Sequence, residues 1–79
     1  MEQDIKDSLR FHGARYNKRE CALQVFVTGK RVTVAYGGTE PEALAVAVDR
    51  LSEVWAVGMT TEEEVEALTL AALAPMLRD

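Results

Sequence analysis

The chain has very few of the residues from which catalytic and metal sites are built. Its 79 residues include one histidine and one cysteine, whereas a structural zinc site takes about four Cys, His or carboxylate ligands. Nothing in the spacing of His12, Cys21 and Ser8 indicates a nucleophile with its base. Gly37-Gly38 lacks the wider glycine pattern and the lysine of a phosphate-binding loop. We therefore expect no enzyme, no metal site and no cofactor.

Long apolar runs are also missing. No stretch approaches the roughly 18 apolar residues that a membrane-spanning helix needs, and Met1 is followed by polar residues instead of a basic and then apolar leader. A single cysteine cannot form an internal disulfide, and its position in a predicted strand places Cys21 on the core side as a buried thiol. These features predict one cytoplasmic domain over residues 1–79.

The stretch from Ala22 to Trp55 carries the strongest structural signals. Apolar residues alternate with other residues in 23–28 and 32–36, which predicts two antiparallel strands. A two-residue loop at Gly29-Lys30 predicts a type II′ turn. This loop sets three facing pairs on an apolar side: Val27 with Val32, Val25 with Val34, and Leu23 with Tyr36. The other side then carries Gln24, Phe26, Thr28, Arg31, Thr33 and Ala35.

The first predicted helix follows the hairpin. Thr39 and Glu42 have the spacing of a capping box, and Pro41 suits the first turn. Gly58 is expected to end this helix just after Val57. Its predicted apolar stripe, which should cover the hairpin, is Leu44, Ala47, Val48, Leu51, Val54 and Trp55.

A second helix is predicted from Thr61 to Ala74. Thr60 or Thr61 can cap it, with Glu63 or Glu64 three residues later. Pro75 is expected to stop the helix, because the residue before a proline disfavours helical geometry. The predicted inner face is Val65, Leu68, Ala72 and Met76.

Residues 1–16 fit two interpretations. The four-residue spacing of Met1, Ile5 and Leu9 favours a short helix ended by Gly13, whereas Leu9, Phe11 and Tyr16 also fit an extended arm. Residues 15–19 are polar and basic and are predicted to form a loop. The expected fold class is therefore α+β: a two-stranded antiparallel hairpin, with or without a third N-terminal strand, packed against two helices.

Charge is distributed unevenly along the chain. Residues 1–31 hold seven basic and four acidic residues, whereas residues 32–79 hold two basic and nine acidic residues. Carboxylates on a rigid helical face can occupy the basic, nucleic-acid-binding groove of a partner, although many acidic faces are simply solvated. On this hypothesis the partner contacts are Glu40, Glu42, Asp49, Glu53, Glu63 and Glu66.

Two further surfaces are predicted. Basic residues near Phe11 and Tyr16 can follow a phosphate backbone or stack on bases, so the alternative is nucleic-acid binding through Arg10, Arg15, Lys18, Arg19, Lys30 and Arg31. Apolar residues outside the main helical stripes either bury against the N-terminal segment or mark an interface. We expect a homodimer with a seam of Val46, Leu70, Leu73 and Leu77.

The chain resembles two groups of proteins. Its strand, Gly29-Lys30-Arg31, strand, and helix opening at Thr39 resemble the arm-type DNA-binding domain of tyrosine integrases and its plant transcription-factor relatives, over residues 23–52. That resemblance implies a sheet face that binds DNA. As a small, acidic, cysteine-poor chain without catalytic residues, it is also similar in kind to phage-encoded inhibitors such as anti-CRISPR proteins. This second likeness implies docking on a host complex, such as a CRISPR effector, in the host cytoplasm.

Overall fold

The protein has an α+β fold, as predicted, with three antiparallel strands and three helices. The computed structural model describes the backbone of residues 2–77 and the side chains of residues 2–73. The elements in chain order are α1 (Glu2–Phe11), β1 (Arg15–Asn17), β2 (Ala22–Val27), β3 (Lys30–Tyr36), α2 (Glu40–Ser52) and α3 (Thr61–Leu77). The strands form one sheet in the order β1-β2-β3. Over residues 2–77, no helix is long and apolar enough to cross a membrane.

The N-terminal segment forms both a helix and a strand. α1 buries Ile5 and Leu9, and Gly13 follows it in the left-handed conformation that commonly terminates helices (φ 71°). The predicted loop over 15–19 is wrong in its first half, because residues 15–17 pair with β2. Tyr16 stabilises this strand: it lies opposite Leu23 in the ladder, and its hydroxyl donates a 2.7 Å hydrogen bond to the Gly37 carbonyl.

The hairpin turn lies one residue earlier than predicted. Val27 pairs with Lys30, so the loop consists of Thr28 and Gly29. Both loop residues have positive φ, 50° and 79°, which is the pattern of a type I′ turn. The predicted type II′ turn at Gly29-Lys30 is therefore wrong. Gly29 occupies the second loop position. Thr28 occupies the first, with a positive φ that is unfavourable for a β-branched residue, and its hydroxyl donates a hydrogen bond to the Val27 carbonyl.

A β-bulge in β3 also changes the predicted facing pairs. Leu23 pairs with Ala35, whereas the next residue, Gln24, pairs with Thr33. β3 therefore has one additional, unpaired residue between these two pairs, Val34. Val34 and Ala35 are both fully buried, and Tyr36 turns outward with 52% of its surface exposed. The predicted pairs are therefore wrong and are replaced by Val27 with Lys30, Val25 with Val32, and Leu23 with Ala35.

Cys21 is exposed, so the predicted buried thiol is wrong. β2 begins only at Ala22, and Cys21 is the last residue of the preceding turn, with a positive φ of 54°. The Asn17 side-chain carbonyl organises this turn by accepting hydrogen bonds from the N–H groups of Arg19 (3.0 Å) and Glu20 (3.3 Å). The thiol therefore lies outside the sheet and its core.

Alanines form much of the helical contribution to the core. α2 buries Ala43, Ala47 and Leu51, and α3 buries Ala67, Leu68 and Ala71. Both inner faces are therefore rotated from the predicted stripes, which were centred on larger residues. Leu44, Val48, Trp55 and Val65 are only partly buried, and Val54 is 43% exposed. Small side chains allow the helix backbones to approach the sheet closely, and this closeness places larger neighbours at the margin.

The first turn of α2 packs directly against the end of β3. A Cβ added at Gly37 would lie 2.5 Å from the Ala43 nitrogen and 2.9 Å from its Cα atom, so only glycine fits there. The predicted cap forms next to it. The Glu42 N–H donates to the Thr39 hydroxyl (3.4 Å), and the Glu42 carboxylate accepts the Gly38 N–H (3.1 Å).

Both helix ends differ from their predicted positions. α2 ends at Ser52 and not at Val57; its last turn is closed by N–H bonds from Glu53 and Val54 to carbonyls three residues earlier. α3 begins at Thr61. The N-cap is therefore Thr60, which is one of the two predicted caps, and its hydroxyl accepts the Glu63 N–H. α3 continues to Leu77 through Pro75, because a proline this close to the end removes little of the hydrogen bonding of the helix.

Candidate functional site

The six predicted acidic contacts are all exposed, but they form more than one group. Glu40 and Glu42 lie at the start of α2. Asp49 and Glu53 lie near its end, and Glu42 and Asp49 are about 10 Å apart along the helix at 1.5 Å per residue. Glu40 shares a cavity of about 410 Å³ with the basic Lys6, Arg10 and Arg15. The start of α2 is thus electrostatically separate from the other carboxylates.

Two of the six predicted contacts also cap helices. Glu42 accepts the Gly38 N–H at the start of α2. Glu63 accepts both the N–H (3.1 Å) and the hydroxyl (3.0 Å) of Thr60 at the start of α3. Glu66 lies in a shallow depression with Glu63, beside Val54 and Leu70. Glu40, Asp49, Glu53 and Glu66 therefore remain as predicted contacts without a capping bond through the side chain, and of these only Glu40 shares a cavity with basic residues.

The most developed acidic feature was not predicted, because it is assembled from distant parts of the chain. An open groove of about 620 Å³ lies between α1, the connection from α2 to α3, and the start of α3. We define this acidic groove by Asp4, Asp7, Ser8, Phe11, Trp55, Val57 and Glu64. The four α1 residues share one helix face, since they are spaced at i, i+3, i+4 and i+7. That spacing was the available sequence signal.

The walls of the acidic groove combine negative charge with exposed apolar surface. Phe11 is 75% exposed and Val57 is 92% exposed, and Trp55 is half-buried beside them. No lysine, arginine or histidine is among the described residues that line the groove. Exposed aromatic rings together with carboxylates suit a ligand that has both a positive charge and an apolar body.

Ser8 contributes a buried hydroxyl to this groove. The residue is 4% exposed, and its Oγ atom has no hydrogen-bond partner. A helical serine normally donates to the carbonyl four residues earlier, and most buried side-chain polar atoms have at least one partner. The Oγ atom is itself inaccessible to solvent, so it lies beneath the surface of the groove and is not exposed on it.

The predicted dimer seam is partly exposed. Leu70 and Leu73 are 49% and 43% exposed. Val46 is half-buried and packs against the core, so it offers less free surface than predicted. The Leu77 side chain lies outside the described residues. The exposed seam therefore consists of Leu70 and Leu73 on α3.

The predicted nucleic-acid contacts divide between two places. β1 pairs Arg15 with Gln24, which puts Arg15 on the outer sheet face, where the Arg31 guanidinium lies 5.2 Å from the centre of the Phe26 ring. Lys18 and Arg19 are in the turn before β2, and Lys30 is beside the hairpin loop. Arg10 lies on α1 and lines the cavity that also contains Lys6 and Glu40, and Arg15 lines both this cavity and the outer sheet face.

The geometry offers little support for catalysis. Among residues 2–73, no group of three His, Cys, Asp or Glu side chains could hold a metal ion. Ser8 Oγ and His12 Nε2 are both buried without a hydrogen-bond partner, so His12 does not form the bond that would activate this serine. The His12 ring instead makes an edge contact with Phe11, with 5.1 Å between the ring centres.

Comparisons of the chain with protein-family models, with curated proteins and with solved structures find no match.

Proposed function

We propose that this protein is a non-enzymatic interaction module whose acidic side docks on a basic, nucleic-acid-binding surface of a protein partner. The observation that supports this most strongly is the acidic groove, where carboxylates of α1 and α3 surround exposed aromatic surface. Complementary charge would steer association with a basic surface and oppose association with an acidic one. In its most specific form the proposal is a phage-type inhibitor that blocks a host complex such as a CRISPR effector, in the host cytoplasm.

The distribution of charge supports the same proposal. Residues 32–79 carry nine acidic and two basic residues. The fold adds Asp4 and Asp7 from α1 to this side of the molecule, because both line the groove with Glu64. A partner that normally binds phosphates presents lysine and arginine side chains, and these carboxylates offer such cations an alternative ligand.

A triple variant tests the part of this proposal that concerns the predicted acidic contacts, which do not line the groove: Asp49→Asn, Glu53→Gln and Glu66→Gln. These carboxylates are exposed and make no capping bond through their side chains. We expect the wild type to capture its partner from the native host at low salt and much less at high salt, and to displace nucleic acid from the isolated partner. The triple variant should do both more weakly.

The control is the single variant Glu20→Gln, which removes a negative charge that lies on neither of the helices carrying the three altered carboxylates. Glu20 is near the sheet, where it accepts a hydrogen bond from Gln24. Capture by this control should resemble that of the wild type. Partner capture that is unaffected by the triple variant and insensitive to salt would reject the proposal.

A second candidate function is nucleic-acid binding through the outer sheet face. The specific observation that favours it is the third strand, which adds Arg15 to the face that carries Arg31 and the 49% exposed ring of Phe26. Stacking on an aromatic ring and ion pairs with phosphates are the usual components of such binding. A salt-dependent gel shift lost on changing Arg15, Arg19, Lys30 and Arg31 to alanine would favour it.

A further inference from the structure

The cavity between α1, β1 and the start of α2 has a chemistry opposite to that of the acidic groove. Its volume of about 410 Å³ is within the range of small-molecule sites. We define this basic cavity by Lys6, Leu9, Arg10, Arg15, Leu23 and Glu40. We infer that it binds a small amphipathic oxyanion, in which a carboxylate or phosphate head group is attached to an aliphatic body. This inference goes beyond the proposed function, because it concerns another surface and another class of ligand.

Two arginines of the basic cavity have free guanidinium groups. Neither Arg10 nor Arg15 makes an ion pair or a side-chain hydrogen bond with the residues that the structure describes. Lys6 is already paired with Glu2, with 3.1 Å between its Nζ atom and the carboxylate. A guanidinium can donate two parallel hydrogen bonds to the oxygens of a carboxylate or phosphate. The head group of the ligand is therefore assigned to Arg10 and Arg15.

The turn between α1 and β1 holds the backbones of these two arginines in place. Gly13 has a left-handed φ of 71°, and its N–H donates to the Arg10 carbonyl (3.0 Å). The Ala14 N–H donates to the Leu9 carbonyl (3.0 Å). Arg10 lies in the last turn of α1, and Arg15 is the first residue of β1. Both side chains therefore extend from an ordered backbone to the same cavity.

The floor of the basic cavity is apolar. Ala14, Tyr16 and Leu44 line it and are only partly buried, so part of their apolar surface remains open to a ligand. The hydrogen bond from the Tyr16 hydroxyl to the Gly37 carbonyl fixes the position of that ring. An inorganic anion would leave this surface in contact with water, whereas an aliphatic body would cover it. Free guanidinium groups above an apolar floor thus select an anion that has an aliphatic body.

Glu40 provides a test of opposite sign. It lines the cavity at the start of α2, and its carboxylate pairs with neither arginine in the described part of the chain. Its charge opposes a bound anion, so Glu40→Gln should strengthen binding about twofold. Glu53→Gln is the matched control, because it removes the same charge at the other end of α2, outside the cavity. This control should leave the affinity unchanged.

The experiment titrates the full chain with hexanoate at constant ionic strength and follows its backbone amides by proton–nitrogen correlation spectroscopy. The matched ligands are acetate, which lacks the aliphatic body, and hexanamide, which lacks the charge. We expect saturable shifts in residues 9–16 and 40–44 with hexanoate, and no saturable shift with hexanamide. Acetate should bind about tenfold more weakly, since the floor covers roughly two methylenes at about fourfold each.

A parallel titration identifies the head group. Hexyl phosphate is compared with inorganic phosphate, and the tighter of hexanoate and hexyl phosphate shows whether a carboxylate or a phosphate is preferred. In either case the aliphatic ligand should bind more tightly than its inorganic or acetate counterpart, because only the aliphatic ligand covers the floor.

Single arginine variants locate the head group. Arg10→Gln and Arg15→Gln should each weaken hexanoate binding about fivefold, which is the upper end of the range for an exposed ion pair. Arg19→Gln and Arg31→Gln remove the same charge from residues that do not line the cavity, and they should leave the affinity unchanged. The correlation spectrum of each variant without ligand verifies its fold.

The outcomes separate this inference from the proposed function. Equal affinities for hexanoate and acetate would overturn the inference, because the apolar floor would then contribute nothing. Equal affinities in the arginine variants and their controls, or weaker binding by Glu40→Gln, would also overturn it. Asp49, Glu53 and Glu66, which the triple variant alters, do not line the basic cavity. Failure of either proposal therefore leaves the other unaffected.

Discussion

The Tyr16 hydroxyl donates a 2.7 Å hydrogen bond to the Gly37 carbonyl, and this bond joins β1 to the connection between β3 and α2. The Gly37 N–H in turn donates to the Cys21 carbonyl (3.0 Å). Desolvation by burial, followed by the proximity of Cys21 and Glu42, raises the pKa of the Tyr16 hydroxyl above 10.0. The protonated phenol is therefore part of the folded structure.

This raised pKa predicts a loss of stability at alkaline pH. Between the unfolded pKa, about 10, and the higher folded pKa, the folded state binds more protons than the unfolded state. The free energy of unfolding contributed by Tyr16 is therefore fully present below pH 10 and decreases as the pH rises through the folded pKa. Urea midpoints measured from pH 8 to 11.5 should fall more steeply for the wild type than for Tyr16→Phe.

Tyr16→Phe should also have a lower urea midpoint than the wild type at pH 8, because the bond to Gly37 is lost. Tyr36→Phe is the matched control, since Tyr36 is 52% exposed on the outer face. Equal alkaline slopes for the wild type and Tyr16→Phe would show that the Tyr16 hydroxyl does not control this transition.

Gly37→Ala should destabilise the fold. The added methyl group would meet backbone atoms of Ala43 at 2.5 and 2.9 Å, so α2 must move away from the sheet. Overpacking of this kind costs about 1–3 kcal/mol in free energy of unfolding, measured by urea denaturation.

Gly38→Ala is the matched control for that measurement. Its added methyl group would meet only the Glu42 carboxylate, at 3.3 Å, and this flexible side chain can move. An equal loss of stability in the two variants would mean that a general effect of glycine replacement, and not the contact with Ala43, is responsible.

Thr60→Ala should weaken the start of α3. The Thr60 hydroxyl accepts the Glu63 N–H at 3.3 Å and donates to the Glu63 carboxylate. Loss of such a cap typically costs about 1 kcal/mol in free energy of unfolding. Urea denaturation measures this loss. Thr61→Ala removes the neighbouring hydroxyl and should cost less. If Thr61→Ala were the more damaging change, the assignment of the cap would be wrong.

Self-association is expected to proceed through α3. Leu70 and Leu73 are 49% and 43% exposed, and an apolar seam of this kind buries favourably against its copy. Sedimentation at tens of micromolar should show a dimer for the wild type and a monomer for the double variant Leu70→Glu and Leu73→Glu. Phe26→Glu, which alters an exposed ring on the sheet, is the control. A monomeric wild type would show that Leu70 and Leu73 do not form a dimer interface.

Local sequence signals predicted the features that depend on neighbouring residues. The caps at Thr39 and Thr60 are set by hydrogen bonds within three or four residues, so the spacing identified Thr39 and narrowed the second cap to Thr60 or Thr61. The alternation in 23–28 and 32–36 predicted the two longer strands for the same reason. The fold class followed from these elements.

Tertiary packing decided the features that the sequence did not reveal. The bulge at Val34 rotates Tyr36 outward, and no local residue marks it. Alanines form the inner faces of α2 and α3 because the sheet is close, whereas a search for large apolar side chains favours Leu44 over Ala43. The acidic groove requires α1 to meet the start of α3, so carboxylates separated by about 60 positions become neighbours only in the fold.

The shortness of β1 has a consequence for solubility. It is one outer strand of the sheet and spans only Arg15–Asn17, with a turn containing two cations immediately after it. A strand of three residues flanked by positive charge is a poor template for another chain to extend by main-chain pairing. The protein should therefore resist fibril formation along this border even at the high concentrations reached during expression.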